Sequence, residues 1–301
     1  MEKEILQQKI CYPNIEEDEI DLRELWQTIK KGKKIIFLTF FVSIFLTLIY
    51  LLSTPNIYEV KTTLLPQNQK KTPFGSFSSL ASFAGIYLRG GEAGADRAFL
   101  LVLENYEFMK KFILKHNLQK KVFDENNIKN YHFAFGFDKL YRLIHIKKSK
   151  KNDTNSLDEE VFNTYKQIKD MIKISTDKKT SIITISSQHP NPYLAKEVLE
   201  LFLTDASRHL ISNNLKYIDS KLKYYNSNLN KIQDISLKKE LAKLISSLIQ
   251  QKVIIQSSKY YNVKQITKPY IPYYKDKIKP KRALILIVAA VTSLILGVFL
   301  V

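Results

Sequence analysis

Residues 35–52 read IIFLTFFVSIFLTLIYLL and residues 283–301 read ALILIVAAVTSLILGVFLV, and neither run contains a charged residue. A helix of this length, rising about 1.5 Å per residue, crosses a hydrocarbon core of about 30 Å. The chain is therefore predicted to cross a membrane twice, with transmembrane helices at residues 35–52 and 283–301. Both ends then lie on one face of the membrane, and the large loop at residues 53–282 lies on the other.

Lysines flank both apolar runs, so the charge signals for orientation conflict. Four lysines lie between residues 30 and 34, and five basic residues lie between residues 275 and 282. The first helix usually sets the orientation, and long loops cross a membrane largely regardless of their charge. We therefore predict that residues 1–34 form a cytoplasmic arm and that residues 53–282 form a domain outside the cytoplasm.

The formal net charge of the chain is +18, and nearly all of the excess belongs to the loop. A basic loop can attract anionic glycolipid or phosphate, but a solvated lysine surface explains the same charge more simply. The only cysteine, Cys11, lies in the predicted arm, so no disulfide framework is expected. A loop of this length can bury a core without disulfides or metals.

The first two thirds of the loop show a mixed α/β pattern, read from alternation, helical spacing and turn residues. We predict, in order, a strand at residues 58–65, a flexible segment at residues 67–94, a helix at residues 96–116, an aromatic strand at residues 131–137, and a β-hairpin at residues 171–176 and 181–187.

A long helix is predicted to begin at Pro192, because Asn191 can cap it and proline suits the first helical position. Further along, apolar residues recur in a 4-3 pattern, which is typical of a coiled-coil seam. These are Ile211, Leu215, Ile218, Leu222, Tyr225, Leu229 and Ile232. The pattern breaks at residues 233–236 and resumes at Leu237, Leu241, Leu244 and Leu248.

Length decides how the break is interpreted. One straight helix from residue 192 to about residue 258 would rise roughly 100 Å, whereas residues 259–280 can return only about 70 Å. A turn at the break removes this conflict, so we predict a helical hairpin extending from an α/β base. Pro269, Pro272 and Pro280 are predicted to form a non-helical motif at the membrane boundary.

Sequence motifs for catalysis are missing. The chain contains no phosphate-binding loop, nucleophile elbow, HExxH or CxxC, and its five histidines lack metal-ligand spacing. We therefore predict no catalytic, cofactor-binding or metal site, and nucleic acid is not expected at a loop tethered at both ends. The sequence points to a membrane-anchored scaffold that is not an enzyme.

Several segments, taken in order, carry a family resemblance: Asp18–Trp26, Tyr58–Val60, Leu64–Pro66, Ile182–Ser186, His189–Ala195, and Pro269, Pro272 and Pro280–Arg282. Together they resemble the Wzz chain-length determinant family, the two-span bacterial polysaccharide co-polymerases without a kinase domain. The second span has only Gly297 where relatives are glycine-richer, so the sequence leaves close packing of the two spans open.

The resemblance implies an inner-membrane protein with a periplasmic α/β base, a long helical extension and several protomers in one assembly. It also implies a regulator of surface polysaccharide length, for example of lipopolysaccharide O-antigen, that acts on a membrane-embedded polymerase. Lipid-linked polysaccharide is a further candidate partner. The alternative function is a two-span adaptor of a capsule or polysaccharide export system, and a two-span sensor is a less favoured third hypothesis.

Overall fold

The computed structural model describes residue 26 and residues 29–67, 94–122, 131–133, 141 and 157–301. All but the two end residues of the flexible segment predicted at residues 67–94, and most of the cytoplasmic arm predicted at residues 1–34, lie outside these ranges. So does most of the predicted aromatic strand. The described part of the chain forms two compact units, one up to Leu51 together with Lys281–Val301, and the other from Leu52 to Pro280.

The described secondary structure consists of helices and short strands. The helices are α1 (Lys33–Ser53), α2 (Ala95–Glu104), α3 (Tyr106–His116), α4 (Leu118–Val122), α5 (Leu157–Met171), α6 (Pro192–Leu229), α7 (Ile235–Ser257) and α8 (Arg282–Phe299). The strands are β1 (Tyr58–Pro66), β2 (Ile172–Thr176), β3 (Ile183–His189) and β4 (Val263–Thr267).

Helices α1 and α8 coincide with the two predicted spans, and both are long and apolar enough to cross a membrane. A core helix of a soluble protein would be mostly buried. In the most apolar 18-residue stretch of each helix, however, only 6% is buried in α1 and 11% in α8. Large apolar side chains such as Phe37, Phe41 and Leu296 are exposed instead. This pattern indicates membrane anchoring through the two helices.

The two apolar helices pack closely, a point that the sequence left open. Ser293 and Gly297 are buried on α8. A Cβ atom added at Gly297 would lie 2.7 Å from the hydroxyl oxygen of Thr39 and 3.1 Å from the Cα of Ile36. Small residues at positions 293 and 297 therefore let the two backbones approach, as in other helix pairs in membranes.

In the other unit, the four strands form an antiparallel sheet in the order β2-β3-β1-β4. Strand β1 alternates, so that Tyr58, Val60, Thr62 and Leu64 are buried on one face. The predicted strand at residues 58–65 and the predicted β-hairpin are confirmed. Strand β4 was not predicted, and it pairs with β1 in a register that shifts between Thr63 and Leu64.

The core lies between this sheet and the helices. The first half of α6 packs against β1 and β3, and α2 packs against α6 and β2. Apolar side chains of α6 that are buried there include Leu194, Val198, Leu199, Phe202 and Leu203. Burial of this apolar stripe holds the start of α6 against the sheet, in the part of the unit that we call the base. It thereby sets the direction in which the outer half of α6 extends from the base.

The helix predicted at residues 96–116 is wrong in its continuity, because the structure has two helices, α2 and α3. Asn105 between them has an extended backbone, and its side chain accepts a hydrogen bond from the Phe108 backbone N–H at 3.0 Å. A side-chain cap of this kind satisfies a free amide at a new helix start and ends the previous helix.

The aromatic strand predicted at residues 131–137 is also wrong where it is described, because residues 131–133 lie in no strand. The carbonyl of His132 accepts one hydrogen bond, from the Asn56 N–H at 2.8 Å. The ring of Tyr131 packs edge-on against the rings of Tyr141 and His189. Tyr131 is half-buried and in contact with these two rings.

The predicted helical hairpin is confirmed. Helix α6 has 38 residues and α7 has 23, so they are about 57 Å and about 35 Å long. The turn at residues 230–234 coincides with the break in the apolar pattern, and the Asp234 side chain caps α7 by accepting a hydrogen bond from the Leu237 N–H at 2.9 Å.

Candidate functional site

The candidate site is the helical hairpin formed by α6 and α7, because the predicted site residues lie there. These are the apolar residues of the 4-3 pattern, which we call the seam. Ile218 is buried, at 1% exposure, in the outer half of α6. Five of the other predicted seam residues are half-buried in α6: Ile211, Leu215, Leu222, Tyr225 and Leu229. Ile232 is half-buried in the turn, outside both helices. The structure thus places the predicted residues on the more buried side of α6.

The returning helix supplies the opposite side of the hairpin and packs against α6. Leu241, Leu244 and Leu248 are half-buried, whereas Leu237 is exposed. Ile245 and Ile255 are buried on α7, and sequence reasoning missed both. The signal for Ile255 was present, since it lies one heptad after Leu248.

One ion pair crosses the hairpin, between Lys252 Nζ and Asp219 Oδ1 at 2.6 Å. Both side chains are substantially exposed, and a pair of this kind stabilises a protein by about 0.2–1 kcal/mol. Full burial of one isoleucine side chain stabilises by about 1.5–3 kcal/mol. Apolar burial at Ile218, and not the ion pair, is therefore the main contribution visible along this seam.

The start of α6 is fixed by a capping arrangement. The Asn191 side chain accepts hydrogen bonds from the N–H groups of Tyr193 and Leu194, as predicted from the sequence. His189 Nδ1 accepts a hydrogen bond from the Asn191 N–H at 3.0 Å. Burial lowers the pKa of His189 to about 4, so this imidazole is neutral at physiological pH and can accept that bond.

A charged cluster holds α6 against α3 near the point where α6 leaves the core. Asp205 Oδ2 lies 2.7 Å from Lys115 Nζ and 2.8 Å from His116 Nε2, and Asp205 Oδ1 lies 3.2 Å from a guanidinium nitrogen of Arg208. Burial would raise the pKa of Asp205, but the hydrogen bonds from Lys115 and His116 outweigh it. The pKa of this carboxyl is therefore below its usual range.

Three further large apolar side chains on α7 are exposed. Ile249, Val253 and Ile254 are between 49% and 59% exposed. Ile249 and Val253 are one helical turn apart, so they lie on the same face of the helix. This row, which we call the outer row, is a surface that another protein could cover.

The predicted membrane-boundary prolines lie in the extended segment between β4 and α8. Pro269 is buried two residues after β4 ends, and Pro272 and Pro280 are half-buried. Next to Pro280, the chain pairs with the segment before β1: the Ile57 N–H donates to Lys279 O, and the Ile278 N–H donates to Ile57 O, both at 2.9 Å. The prolines themselves are not brought together into one site.

Among the described residues, no group of three or more histidine, cysteine, aspartate or glutamate side chains is placed to hold a metal ion. Open apolar grooves lie between α1 and α8, and one of them is lined by residues such as Leu46, Thr47 and Val288.

Part of the chain matches a known protein family. The model of the family described as Wzz, chain length determinant protein, matches residues 18–116. The predicted resemblance is confirmed. The match covers about a third of the chain, including α1, β1, α2 and α3, and it supports a chain-length regulator of polysaccharide.

No curated protein matches the chain closely enough to count as a relative. Among solved structures, one described as a full-length bacterial polysaccharide co-polymerase is similar at 13% sequence identity and a TM-score of 0.35. The match covers 92% of this chain and 95% of that chain.

Proposed function

We propose that the protein is a non-enzymatic, oligomeric regulator that sets the length of a bacterial surface polysaccharide, for example lipopolysaccharide O-antigen. It is anchored in the inner membrane by α1 and α8, and residues 53–282 lie in the periplasm. The assembly acts as a scaffold for a membrane-embedded polymerase, and lipid-linked polysaccharide is a further candidate partner. The family match at residues 18–116 is the observation that carries this proposal.

The arrangement of the elements supports the proposal. An apolar helix, a strand of a mixed base, a long helical hairpin and a second apolar helix follow one another in the order that the resemblance implies. A scaffold needs rigid, extended surfaces, and the capped hairpin provides one.

The outer row supports the oligomeric part of the proposal. Three large apolar side chains on one exposed helix are costly in water, and a second copy of the same chain would remove them from it. Symmetric assemblies bury such surfaces repeatedly, once for each protomer.

The test is a deletion strain in which the length distribution of the surface polysaccharide is compared by gel electrophoresis with and without a plasmid-borne copy of the gene. The regulator proposal predicts that deletion changes the distribution while polymer is still made, and that the plasmid restores the original distribution. Loss of all surface polymer would instead favour the export adaptor. An unchanged distribution would contradict both functions.

A further inference from the structure

A segment of exposed tyrosines and lysines lies between β4 and α8. We call residues 270–279 the tyrosine strap. Tyr270, Tyr273 and Tyr274 are 58%, 63% and 52% exposed, although tyrosine usually buries much of its ring. The rings of Tyr273 and Tyr274 contact each other with centroids 4.5 Å apart.

Hydrogen bonds hold the backbone of the strap in place. Its tyrosine rings are therefore exposed on an ordered segment. The Asp276 N–H donates to Tyr273 O at 2.8 Å and closes a turn. The Tyr58 hydroxyl, from the buried face of β1, donates to Tyr274 O at 2.9 Å. Backbone hydrogen bonds of Ile57 with residues 278 and 279 fix the far end.

The strap is also basic. Lys275 and Lys279 are exposed, as is Lys281 directly after the strap, and Asp276 is the only acidic residue between positions 268 and 282. The ammonium of Lys275 lies 5.7 Å from the centre of the Tyr274 ring. Cation and aromatic ring are thus presented side by side on one short turn.

Along the chain, the strap lies close to the ends of both apolar helices. Two residues separate it from α8, and Ile57, to which it is hydrogen-bonded, follows the last residue of α1 by four positions. Tyrosine side chains favour the headgroup level of a bilayer, and lysines beside a span are attracted to anionic lipids. We propose that the tyrosine strap docks on the membrane surface by binding anionic phospholipid headgroups.

The test uses the full-length chain in nanodiscs and places a fluorescent reporter on the strap. Trp26 is the only tryptophan of the chain, so a Trp26→Phe background with Tyr273→Trp reports on the strap alone. We would measure its emission, and its quenching by lipids that carry a nitroxide on the headgroup. The two nanodisc compositions are phosphatidylcholine alone and phosphatidylcholine with phosphatidylglycerol.

We expect emission at shorter wavelength and stronger quenching when phosphatidylglycerol is present. Salt should weaken the effect, because it screens charges at the surface. Replacing both Lys275 and Lys279 by glutamine should remove the dependence on lipid charge. A Tyr224→Trp variant in the same background, at an exposed position on α6, should show neither the shift nor the quenching.

Three outcomes would overturn the proposal. The first is a Tyr273→Trp variant that behaves like the Tyr224→Trp control, and the second is quenching that is equal in both lipid compositions. The third is short-wavelength emission without quenching by lipid, which would mean that another protein chain covers the strap. A Tyr270→Trp variant provides the same readout from a second exposed position if position 273 does not accept tryptophan.

Discussion

Gly297 shows how a residue without a side chain sets the distance between two apolar helices. A Cβ atom at this position would lie only 3.1 Å from the Cα of Ile36, a backbone atom that cannot rotate away. We predict that Gly297→Leu destabilises the packing of α1 against α8 by about 1–3 kcal/mol, the usual cost of overpacking. Thermal unfolding of the detergent-solubilised protein, followed by circular dichroism, measures this change.

The matched control for this substitution is Ala283→Leu, which adds bulk at an exposed position on the same helix. The control should unfold at the temperature of the unmodified protein. If Gly297→Leu is as stable as Ala283→Leu, the two helices do not pack closely at Gly297.

His189 makes the stability of the base depend on pH. Its pKa is lowered to about 4 in the folded protein by burial, against an ordinary value of 6.5. In the window between these values the unfolded chain binds the extra proton, so stability falls as the pH is lowered from about 6.5 to about 4. The loss is at most about 3 kcal/mol, and it should appear in urea unfolding measured across this window.

The control variant is His189→Asn, whose side-chain oxygen can accept the hydrogen bond from the Asn191 N–H but does not titrate. We expect its stability to vary less between pH 6.5 and pH 4 than that of the unmodified protein. Asp205 affects stability at lower pH than His189 does. Its pKa is lowered in the folded protein, so the stability that its carboxylate contributes is lost only as the pH falls through that lowered pKa. A variant with the same pH dependence as the unmodified protein would exclude His189 as the cause.

At the scale of elements, the hairpin depends on the burial of Ile218. Ile218→Asp places a charge without a partner between α6 and α7, at a cost of several kcal/mol. We predict that the outer half of α6 and α7 lose protection in amide hydrogen exchange. The first half of α6 should keep its protection, because a separate set of apolar side chains buries it in the core.

Asn226→Asp, at an exposed position on the same helix, is the control and should leave the exchange pattern unchanged. Loss of protection throughout the base would show that the hairpin and the base unfold together. Unchanged protection in the Ile218→Asp variant would show that the seam does not hold the hairpin together.

The sequence predicted those elements whose pattern is local. The hairpin of α6 and α7 follows from the break at residues 233–236 and from the chain length needed to return. The start of α6 follows from Asn191 and Pro192. The division between α2 and α3 was missed, because Asn105 interrupts an otherwise continuous apolar spacing and its capping role depends on its side-chain rotamer. Strand β4 was missed because five residues become a strand only by pairing with β1.

The candidate site was predictable only in part, because the exposure of a side chain depends on what packs against it and not on its local sequence pattern. The heptad pattern predicted a row of seam residues on α6, among them Ile218, which is buried. It could not show that Ile249 and Val253 remain exposed. When apolar residues lie on two sides of a helix, the sequence does not tell which side packs against the neighbouring helix. The contact of Gly297 with α1 likewise depends on the helix partner and not on the number of glycines in the span.

At the scale of the whole molecule, the orientation in the membrane stays a prediction that a reporter fusion can test. We expect alkaline phosphatase inserted after Gln233, in the turn between α6 and α7, to be active, because this loop is predicted to be exported. A fusion to the N-terminus should be inactive. The reverse result would contradict the orientation and with it a periplasmic function.

We propose above that an assembly of this chain sets polysaccharide length without making or exporting the polymer. The most direct test is the length distribution of surface polysaccharide in a deletion strain that carries either the unmodified gene or the Ile249→Lys, Val253→Lys variant of the outer row. We expect the variant to be produced in normal amounts and polymer still to be made, but with a preferred length that is shifted or lost. A variant that maintains the original distribution, or one that abolishes all polymer, would contradict this proposal.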